Sequence, residues 1–286
     1  MLKLFTRSFA AAALAAPMLA QNQIPRVWES PAASVSHTIG TTAVTIDYHR
    51  PGVKGRPIWG ALVPYGEVWR TGANDATTIR FDDAVKIDGH EVPAGTYAFF
   101  AIPEKDKWTL ILNKEAKQWG AFEYHEKEDL MRWSAAPKPA DMIEWLTYAI
   151  DPAGPDSASV HLRWEKLDVA FTVTADVKAI MLAKIDRAMA QAKSDDWQAR
   201  LQAARYYYSI DYKLDQALAW IDDSIKIQEE FRSLELKARI LHKQKHDAQA
   251  VPVLEKAIAV AKSKKAQPEY IDGLTKLEAE WKKSGS

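Results

Sequence analysis

The sequence predicts an α+β chain in which an all-β antiparallel sandwich, jelly-roll-like in its strand pattern, is followed by an all-α domain of helical hairpins. Three observations predict this order. Apolar residues alternate with polar ones from about residue 34 to 173, the apolar period then lengthens to that of a helix, and similar residues recur 33 positions apart in the helical half. We therefore divide the chain into residues 1–20, 21–174 and 175–286.

Residues 1–20 have the three parts of a secretory signal peptide. Lys3 and Arg7 flank the start of an apolar stretch over residues 8–19, and Ala20 precedes Gln21. This stretch is shorter than the roughly 20 residues that span a bilayer, and a retained membrane anchor is the alternative. We expect a mature chain that begins near Gln21, has no membrane span, and is exported to the periplasm or outside the cell.

The composition argues against several classes of function. Loss of Lys3 and Arg7 reduces the 38 basic residues to 36 against 38 acidic ones, a net charge of about −2. Such a chain lacks the field that attracts nucleic acid, so no nucleic-acid partner is predicted. The absence of cysteine excludes thiolate catalysis, CxxC redox chemistry and a cysteine-held metal.

The strands of the sandwich are predicted from a repeat of two, which a pleated strand with one buried face requires. The segments 85–87 and 90–92 flank Asp88-Gly89, which predicts a two-residue hairpin. Turn residues between the runs give about nine short strands. The alternating apolar sets are Val44, Ile46 and Tyr48; Trp108, Leu110 and Leu112; Trp145, Thr147 and Ala149; Val160, Leu162 and Trp164; and Val169, Phe171 and Val173.

After residue 175 the pattern predicts amphipathic helices that continue to Trp281. Asp176 and Asp195 are expected to cap the first two helices, and Tyr208 is expected in the core. The pattern is similar to degenerate tetratricopeptide repeats, which implies a surface for a protein partner; a plain helical bundle packed on the sandwich is the alternative. The recurring pairs are Leu201 and Leu234, Tyr208 and Leu241, Ala217 and Ala250, Ile221 and Leu254, Ser224 and Ala257, and Ile225 and Ile258.

Several spaced motifs form a signature in the β half. They are the segments 49–51, 54–60, 62–66, 68–74, 93–97 and 117–120, and residues 65–74 read YGEVWRTGAN. Together they resemble a family of exported bacterial domains of unknown function, over about residues 27–175. The resemblance implies a compact β domain, exported and in some members followed by helical repeats, with no assigned activity.

The segment from His49 to Asp75 is too rich in glycine and proline for one regular element, so we expect a loop system across one end of the sandwich. Its arginine forks and tryptophan faces are suited to a glycan or a small anionic ligand. In the structural alternative, Arg70 pairs with Asp75 or Glu67, Asn74 closes a turn, and the tryptophans plug the sandwich. The candidate binding residues are Arg50, Arg56, Trp59, Tyr65, Trp69, Arg70, Thr71, Asn74 and Trp119.

Signals for catalysis are few. His37 and His49 meet if their strands pair, and with a nearby carboxylate they would act as acid and base or bind a metal. No HExxH or HxH spacing supports a metal site, and neither a GxSxG elbow nor a GxGxxG turn is present. We therefore assign no metal and no cofactor. The candidate catalytic residues are Glu67, His49 and Asp75.

These observations predict an exported, non-enzymatic binding protein. Its sandwich loops would bind a polar or glycan-like envelope ligand, and its helices would dock a protein partner. One alternative is an envelope hydrolase or isomerase that uses the cleft around the YGEVWRTGAN loop. The other is a purely structural scaffold.

Overall fold

The computed structural model describes residues 27–284, and these form the predicted α+β order of strands followed by helices. The predicted signal peptide of residues 1–20 lies outside the described residues. The strands are β1 (Ala32–Ile39), β2 (Thr42–His49), β3 (Thr78–Phe81), β4 (Val85–Ile87), β5 (His90–Val92), β6 (Gly95–Ile102), β7 (Trp108–Asn113), β8 (Asp129–Ala135), β9 (Lys138–Gly154) and β10 (Ser157–Thr174).

Two antiparallel sheets make up a β-sandwich-like region. One has six strands in the order β1-β2-β3-β6-β7-β8, and the other has four in the order β5-β4-β10-β9. Val44, Ile46 and Tyr48 of β2 are buried in the same apolar cluster as Val160 and Leu162 of β10. The repeat of two is thus confirmed in strands of both sheets, because one face of each lies against the core.

The predicted hairpin is confirmed between β4 and β5. Val85 pairs with Val92, and Ile87 pairs with His90 across a two-residue turn. Both turn residues are left-handed, with φ of 46° at Asp88 and 88° at Gly89. This is the backbone that a tight two-residue turn between twisted strands requires, and it explains the glycine.

The prediction for β9 is wrong in phase. Leu146, Tyr148 and Ile150 are the buried residues, whereas Trp145 is 38% exposed on the opposite face. Its ring packs near Gly52, in a loop that covers this side of the strand. An apolar residue was therefore present on both faces, and alternation alone could not tell which one met the core.

Four tryptophans meet in the interior of the sandwich. Trp108 belongs to the six-stranded sheet and Trp164 to the four-stranded sheet, while Trp59 and Trp69 come from the loop between β2 and β3. The ring centroids of Trp59 lie 4.9 Å from Trp108 and 5.8 Å from Trp164, and Trp69 stacks on Trp164 at 5.9 Å. We call these four residues the tryptophan cluster. It anchors the loop to both sheets by apolar and edge-to-face contacts.

The helical half begins directly after β10. Asp176 caps the first helix as predicted, since its side chain accepts the Ala179 N–H at 2.9 Å. The second cap is Asp196, which accepts the Ala199 N–H at 2.9 Å, and the assignment to Asp195 is wrong by one residue. An N-cap side chain binds the N–H two or three positions after it, and here both aspartates bind the third. The helices are α1 (Val177–Gln191), α2 (Trp197–Ser209), α3 (Leu214–Ile227), α4 (Phe231–Lys243), α5 (Asp247–Ser263) and α6 (Pro268–Ser284).

Equivalent positions in the α2–α3 and α4–α5 pairs are buried alike. Ala217 and Ala250 are both fully buried, as are Ile221 and Leu254. The expectation for Tyr208 is off by one residue, because Tyr207 is the buried tyrosine and Tyr208 is only partly buried. Tyr207 lies on the same helix face as the buried residues three and six positions before it.

Helix α1 packs against the sandwich. Lys184 Nζ lies 2.6 Å from Asp83 Oδ2, which also accepts the Thr42 hydroxyl at 2.9 Å. Gly40 lies under Val177, and a Cβ at this position would come within 2.6 Å of both Val177 methyl groups. Within residues 27–284, no helix is long and apolar enough to cross a membrane.

Candidate functional site

The loop between β2 and β3 holds most of the signature, and two of its arginines serve to fix it in place. Nε of Arg50 donates to Leu146 O at 2.9 Å, and its Nη2 donates to Thr147 Oγ1 at 2.7 Å. Arg56 donates to two carbonyls of its own turn, at 3.1 and 2.6 Å. Each guanidinium thus uses its Nε and Nη2 donors to hold neighbouring parts of the loop and of β9 in place.

The signature tryptophans and Thr71 face the interior. Trp59 and Trp69 belong to the tryptophan cluster. Thr71 is fully buried, donates to Phe99 O at 2.9 Å, and accepts the Tyr148 hydroxyl on its carbonyl at 3.0 Å. Burial raises the pKa of Tyr148, so this phenol stays protonated as a donor. These three signature residues stabilise the loop through their contacts with the interior of the sandwich.

Tyr65 and Glu67 lie on the exposed part of the loop. The Tyr65 ring covers Gly60, where a Cβ would come within 2.7 Å of the ring. Tyr65 also lines a shallow cavity with residues 104–107. Glu67 is exposed and lines neither this cavity nor the cleft described next. The structure therefore separates Glu67 from the other two catalytic candidates.

A cleft of about 710 Å³ lies on the outer face of the six-stranded sheet. Its floor is made by residues of β1, β2 and β3 that point away from the core, and its wall is the segment 116–123. It brings together His49, Asp75 and Trp119 from the predicted set. We call it the sheet cleft. Other side chains that line it are Ser34, Asp47, Thr78, Lys117, Gln118 and Glu123.

Backbone contacts join the signature loop to the wall of the sheet cleft. Asp75 and Trp119 form an isolated antiparallel bridge, and Ala76 N–H donates to Gln118 O at 3.1 Å. Asn74 is left-handed, with φ of 58°, and its carbonyl accepts the Gly120 N–H at 3.1 Å. Asn74 thus occupies a turn, as the structural alternative expected, and this turn fixes the position of Trp119 over the cleft.

Asn113 holds the segments beside the wall of the sheet cleft in place through hydrogen bonds of its side chain. Its buried side chain donates to His125 O at 3.1 Å and to Asp129 Oδ1 at 2.9 Å, and accepts the Glu115 N–H at 3.0 Å. Gln118 is 6% exposed, and its Oε1 is buried without a hydrogen-bond partner among the described residues. The Nε2 end of the same amide donates to Glu115 O at 2.6 Å, which holds Gln118 within the wall.

Aromatic rings border the sheet cleft. Trp119 is 47% exposed. The Trp28 ring lies 5.9 Å from Trp119 and 6.0 Å from His49, centroid to centroid. Trp28 precedes β1 and belongs to no strand pattern, so only the folded chain reveals its place beside the cleft. Large exposed aromatic faces beside polar groups are typical of ligand-binding surfaces.

The charge of the sheet cleft is acidic. Three carboxylates, those of Asp47, Asp75 and Glu123, line it with one lysine, Lys117. This balance disfavours an anion and suits a neutral polar or a cationic ligand. Among residues 27–284, no group of three or more His, Asp or Glu side chains is arranged to hold a metal ion.

The structure does not bring His37 and His49 together. His37 pairs with Val44 and His49 with Ala32, so the two histidines lie toward opposite ends of the β1–β2 ladder. Their side chains also point to opposite faces, because Val44, the partner of His37, and His49 are five positions apart along β2. His49 alone reaches the sheet cleft.

Arg70 stands apart from the other arginines of the signature. Its guanidinium makes no hydrogen bond or ion pair with any described residue, and its Nε is buried without a partner. The expected pairing with Asp75 or Glu67 is therefore wrong. Burial lowers the pKa of the Arg70 guanidinium below its ordinary value.

One polar cluster was missed by the sequence reading. His161 Nδ1 lies 2.9 Å from Asp168 Oδ2, and Arg163 Nε donates to the same oxygen at 3.2 Å. The cluster lies on the outer face of the four-stranded sheet and lines none of the larger cavities. Alternation along β10 places His161 and Arg163 on one face, but the bulges before Asp168 hide its proximity.

Comparison with known proteins gives one match. Residues 30–173 match the model of a family described as "Protein of unknown function (DUF2911)". These residues include all of the sandwich strands except Thr174 at the end of β10, and all of the candidate site except Trp28. No curated protein and no solved structure matches the chain.

Proposed function

Because the chain belongs to the DUF2911 family, whose function is unknown, we propose its function from its own residues: it is an exported, non-enzymatic protein that binds a neutral polar, glycan-like ligand in the sheet cleft. The observation that carries the proposal is Trp119, held 47% exposed over a cleft whose lining combines apolar surface with the polar side chains of Asp47 and Thr78. An indole face packs on the apolar face of a sugar ring, while hydroxyl groups need nearby donors and acceptors.

The polar groups of the sheet cleft fit this ligand class. Asp47 and Asp75 can accept hydrogen bonds from hydroxyl groups, and Ser34 and Thr78 can both donate and accept them. The cleft volume of about 710 Å³ lies in the usual range for small-ligand sites. This proposal moves ligand recognition from Trp59 and Trp69, which are partly buried and pack against the core, to Trp119.

The test is glycan binding by the full chain. Soluble chito-, cello- and xylo-oligosaccharides and peptidoglycan fragments are titrated by calorimetry against wild type, Trp119→Ala and Trp145→Ala. Trp145 is the matched control, since it is 38% exposed but lies on the other sheet. We expect Trp119→Ala to weaken binding about tenfold or more, equivalent to about 1.4 kcal/mol, and Trp145→Ala to leave it unchanged. Equal effects of both variants, or no glycan bound, refute the proposal.

A second candidate function is hydrolysis or isomerisation in the same cleft. It is supported by His49 and Asp75, an imidazole and a carboxylate that line one cavity. Turnover of a bound glycan that is lost in His49→Gln and Asp75→Asn, with binding retained, would favour the enzyme. Binding without turnover favours the non-enzymatic reading. If the chain binds no ligand, the purely structural scaffold is favoured.

We further propose that the helices are tetratricopeptide-like hairpins that dock a protein. The equivalent burial of Ala217 with Ala250 and Ile221 with Leu254 supports repeated hairpins. An apolar groove of about 540 Å³ lies between α1 and α2, with Arg205 on its rim. Complementarity to this charge favours an amphipathic protein segment that carries an acidic residue beside its apolar face.

The absence of cysteine makes the groove accessible to a single-site probe. Gln202→Cys places one thiol in the α1–α2 groove for a photo-crosslinker, and Lys276→Cys places one on exposed α6 as the control. We expect one crosslinked protein from the groove position, lost when Arg205→Glu is added, and none from α6. The same products from both positions would refute a docking groove.

A further inference from the structure

Arg70 is an arginine whose charge the described residues leave unpaired. Its side chain is partly buried, Nε has no hydrogen-bond partner, and no carboxylate forms an ion pair with the guanidinium. By contrast, Arg80 of β3 is exposed and pairs with Asp82. A partly buried cation without a partner opposes folding, because water is removed from the charge and nothing replaces it.

The surroundings of Arg70 bring an exposed phenyl ring next to its guanidinium group. Gly120 lies beside it with φ of 67°, and a Cβ there would come within 3.1 Å of Arg70 Nη1. The same Cβ position is 3.0 Å from the ring of Phe122, which is 81% exposed. The lack of a side chain at Gly120 thus allows a guanidinium edge and a phenyl ring to approach the same point of the backbone.

We propose that Arg70 binds the carboxylate of a small organic acid whose apolar body packs on Phe122. The guanidinium fork matches two carboxylate oxygens, and the ring beside it favours an acid with an aromatic or aliphatic body. Such an anion supplies the partner that the buried charge lacks. Desolvation, which lowers the pKa of Arg70, also strengthens its attraction to an anion.

This site is separate from the sheet cleft. Arg70 does not line the cleft, and the segment around Gly120 lies between them, with Trp119 facing the cleft. The two sites also differ in charge, since three carboxylates line the cleft. Binding of an organic acid at Arg70 therefore stands or falls independently of glycan binding.

The experiment uses the full chain with benzoate as the probe. Benzamide is the neutral isostere, inorganic phosphate is the anion without an apolar body, and affinity is measured by calorimetry. In parallel, nuclear magnetic resonance follows the Arg70 Nε–Hε signal in arginine-labelled wild type, which needs no variant. We expect saturable benzoate binding that shifts this signal, with weaker binding of phosphate and none of benzamide.

Variants of Arg70 test whether its two-pronged guanidinium geometry, and not its charge alone, binds the carboxylate. Arg70→Lys keeps the charge but loses the fork, so we expect at least tenfold weaker benzoate binding, whereas the control Arg80→Lys binds as wild type does. Phe122→Ala alters an exposed side chain, so it keeps the fold and should bind severalfold more weakly. No benzoate binding to the folded chain, phosphate tighter than benzoate, or equal binding by Arg70→Lys overturns the proposal.

Discussion

Replacement of Arg70 with methionine should make the sandwich more stable, whereas the same replacement at Arg50 should make it less stable. Methionine keeps the length of the apolar stem of arginine and removes the charged end. At Arg70 that end has a buried Nε without a partner. At Arg50 it donates to Leu146 O at 2.9 Å and to Thr147 Oγ1 at 2.7 Å.

The two magnitudes follow from these contacts. An unsatisfied buried donor costs about 1–3 kcal/mol, and since the Arg70 side chain is only partly buried we expect a gain of about 1 kcal/mol. Arg50→Met removes two hydrogen bonds of a charged donor and strands a carbonyl of β9, for a loss of about 2–3 kcal/mol. For a domain of this size, each kcal/mol shifts the melting temperature by about 2–4 °C.

The assay is urea unfolding monitored by tryptophan fluorescence. Eight of the 11 tryptophans lie before residue 175, so the signal reports mainly the sandwich. Unfolding is fitted to the linear dependence of free energy on urea for both variants and wild type. A loss of about 2 kcal/mol or more in Arg70→Met would refute the reasoning, because it would mean that Arg70 stabilises its surroundings as Arg50 does.

Three further changes have defined outcomes. At Gly40 φ is 60°, and a Cβ would lie 2.6 Å from the Val177 methyl groups. Gly40→Ala should therefore lower the free energy of unfolding by about 2 kcal/mol, and adding Val177→Ala should restore part of this loss in thermal unfolding. Burial and the hydrogen bond to Asp129 raise the pKa of Tyr124 to about 12. The stabilisation by this phenol is therefore complete below pH 10 and is lost as pH rises toward 12. In Tyr124→Phe, the urea midpoint should depend less on pH over that range than it does in wild type. Glu67→Gln should leave glycan binding unchanged, since Glu67 lies outside the sheet cleft, and weaker binding would contradict this placement.

Most strands and turns of the β half could be predicted from the alternation of apolar and polar residues and from the turn residues. Val44, Ile46 and Tyr48 could be predicted because polar residues separate them and the opposite face is solvated or covered by a loop. The same reasoning failed at β9, where Trp145 and Leu146 are both large and apolar. The set with Leu146 has the greater apolar volume, and this was the signal available in the sequence.

The candidate site was predictable only in part. His49, Asp75 and Trp119 lie in motifs that the sequence marked, and the fold brings them to one cleft. Trp59 and Trp69 could not be assigned, because a tryptophan in a glycine-rich loop can face either a ligand or the core. Trp28 could not be found either, since its place depends on contacts between distant parts of the chain.

The tryptophan cluster also predicts when the signature loop becomes ordered during folding. Trp108 and Trp164 come from different sheets, and Trp59 and Trp69 reach them only from a loop distant in sequence. Contacts of such high contact order form late, because their loop-closure entropy must be overcome first. The loop that carries Asp75 and Arg70 therefore becomes ordered only when the two sheets close on each other. We therefore expect both proposed binding sites to form only in the last step of folding, so that an incompletely folded chain would bind neither ligand.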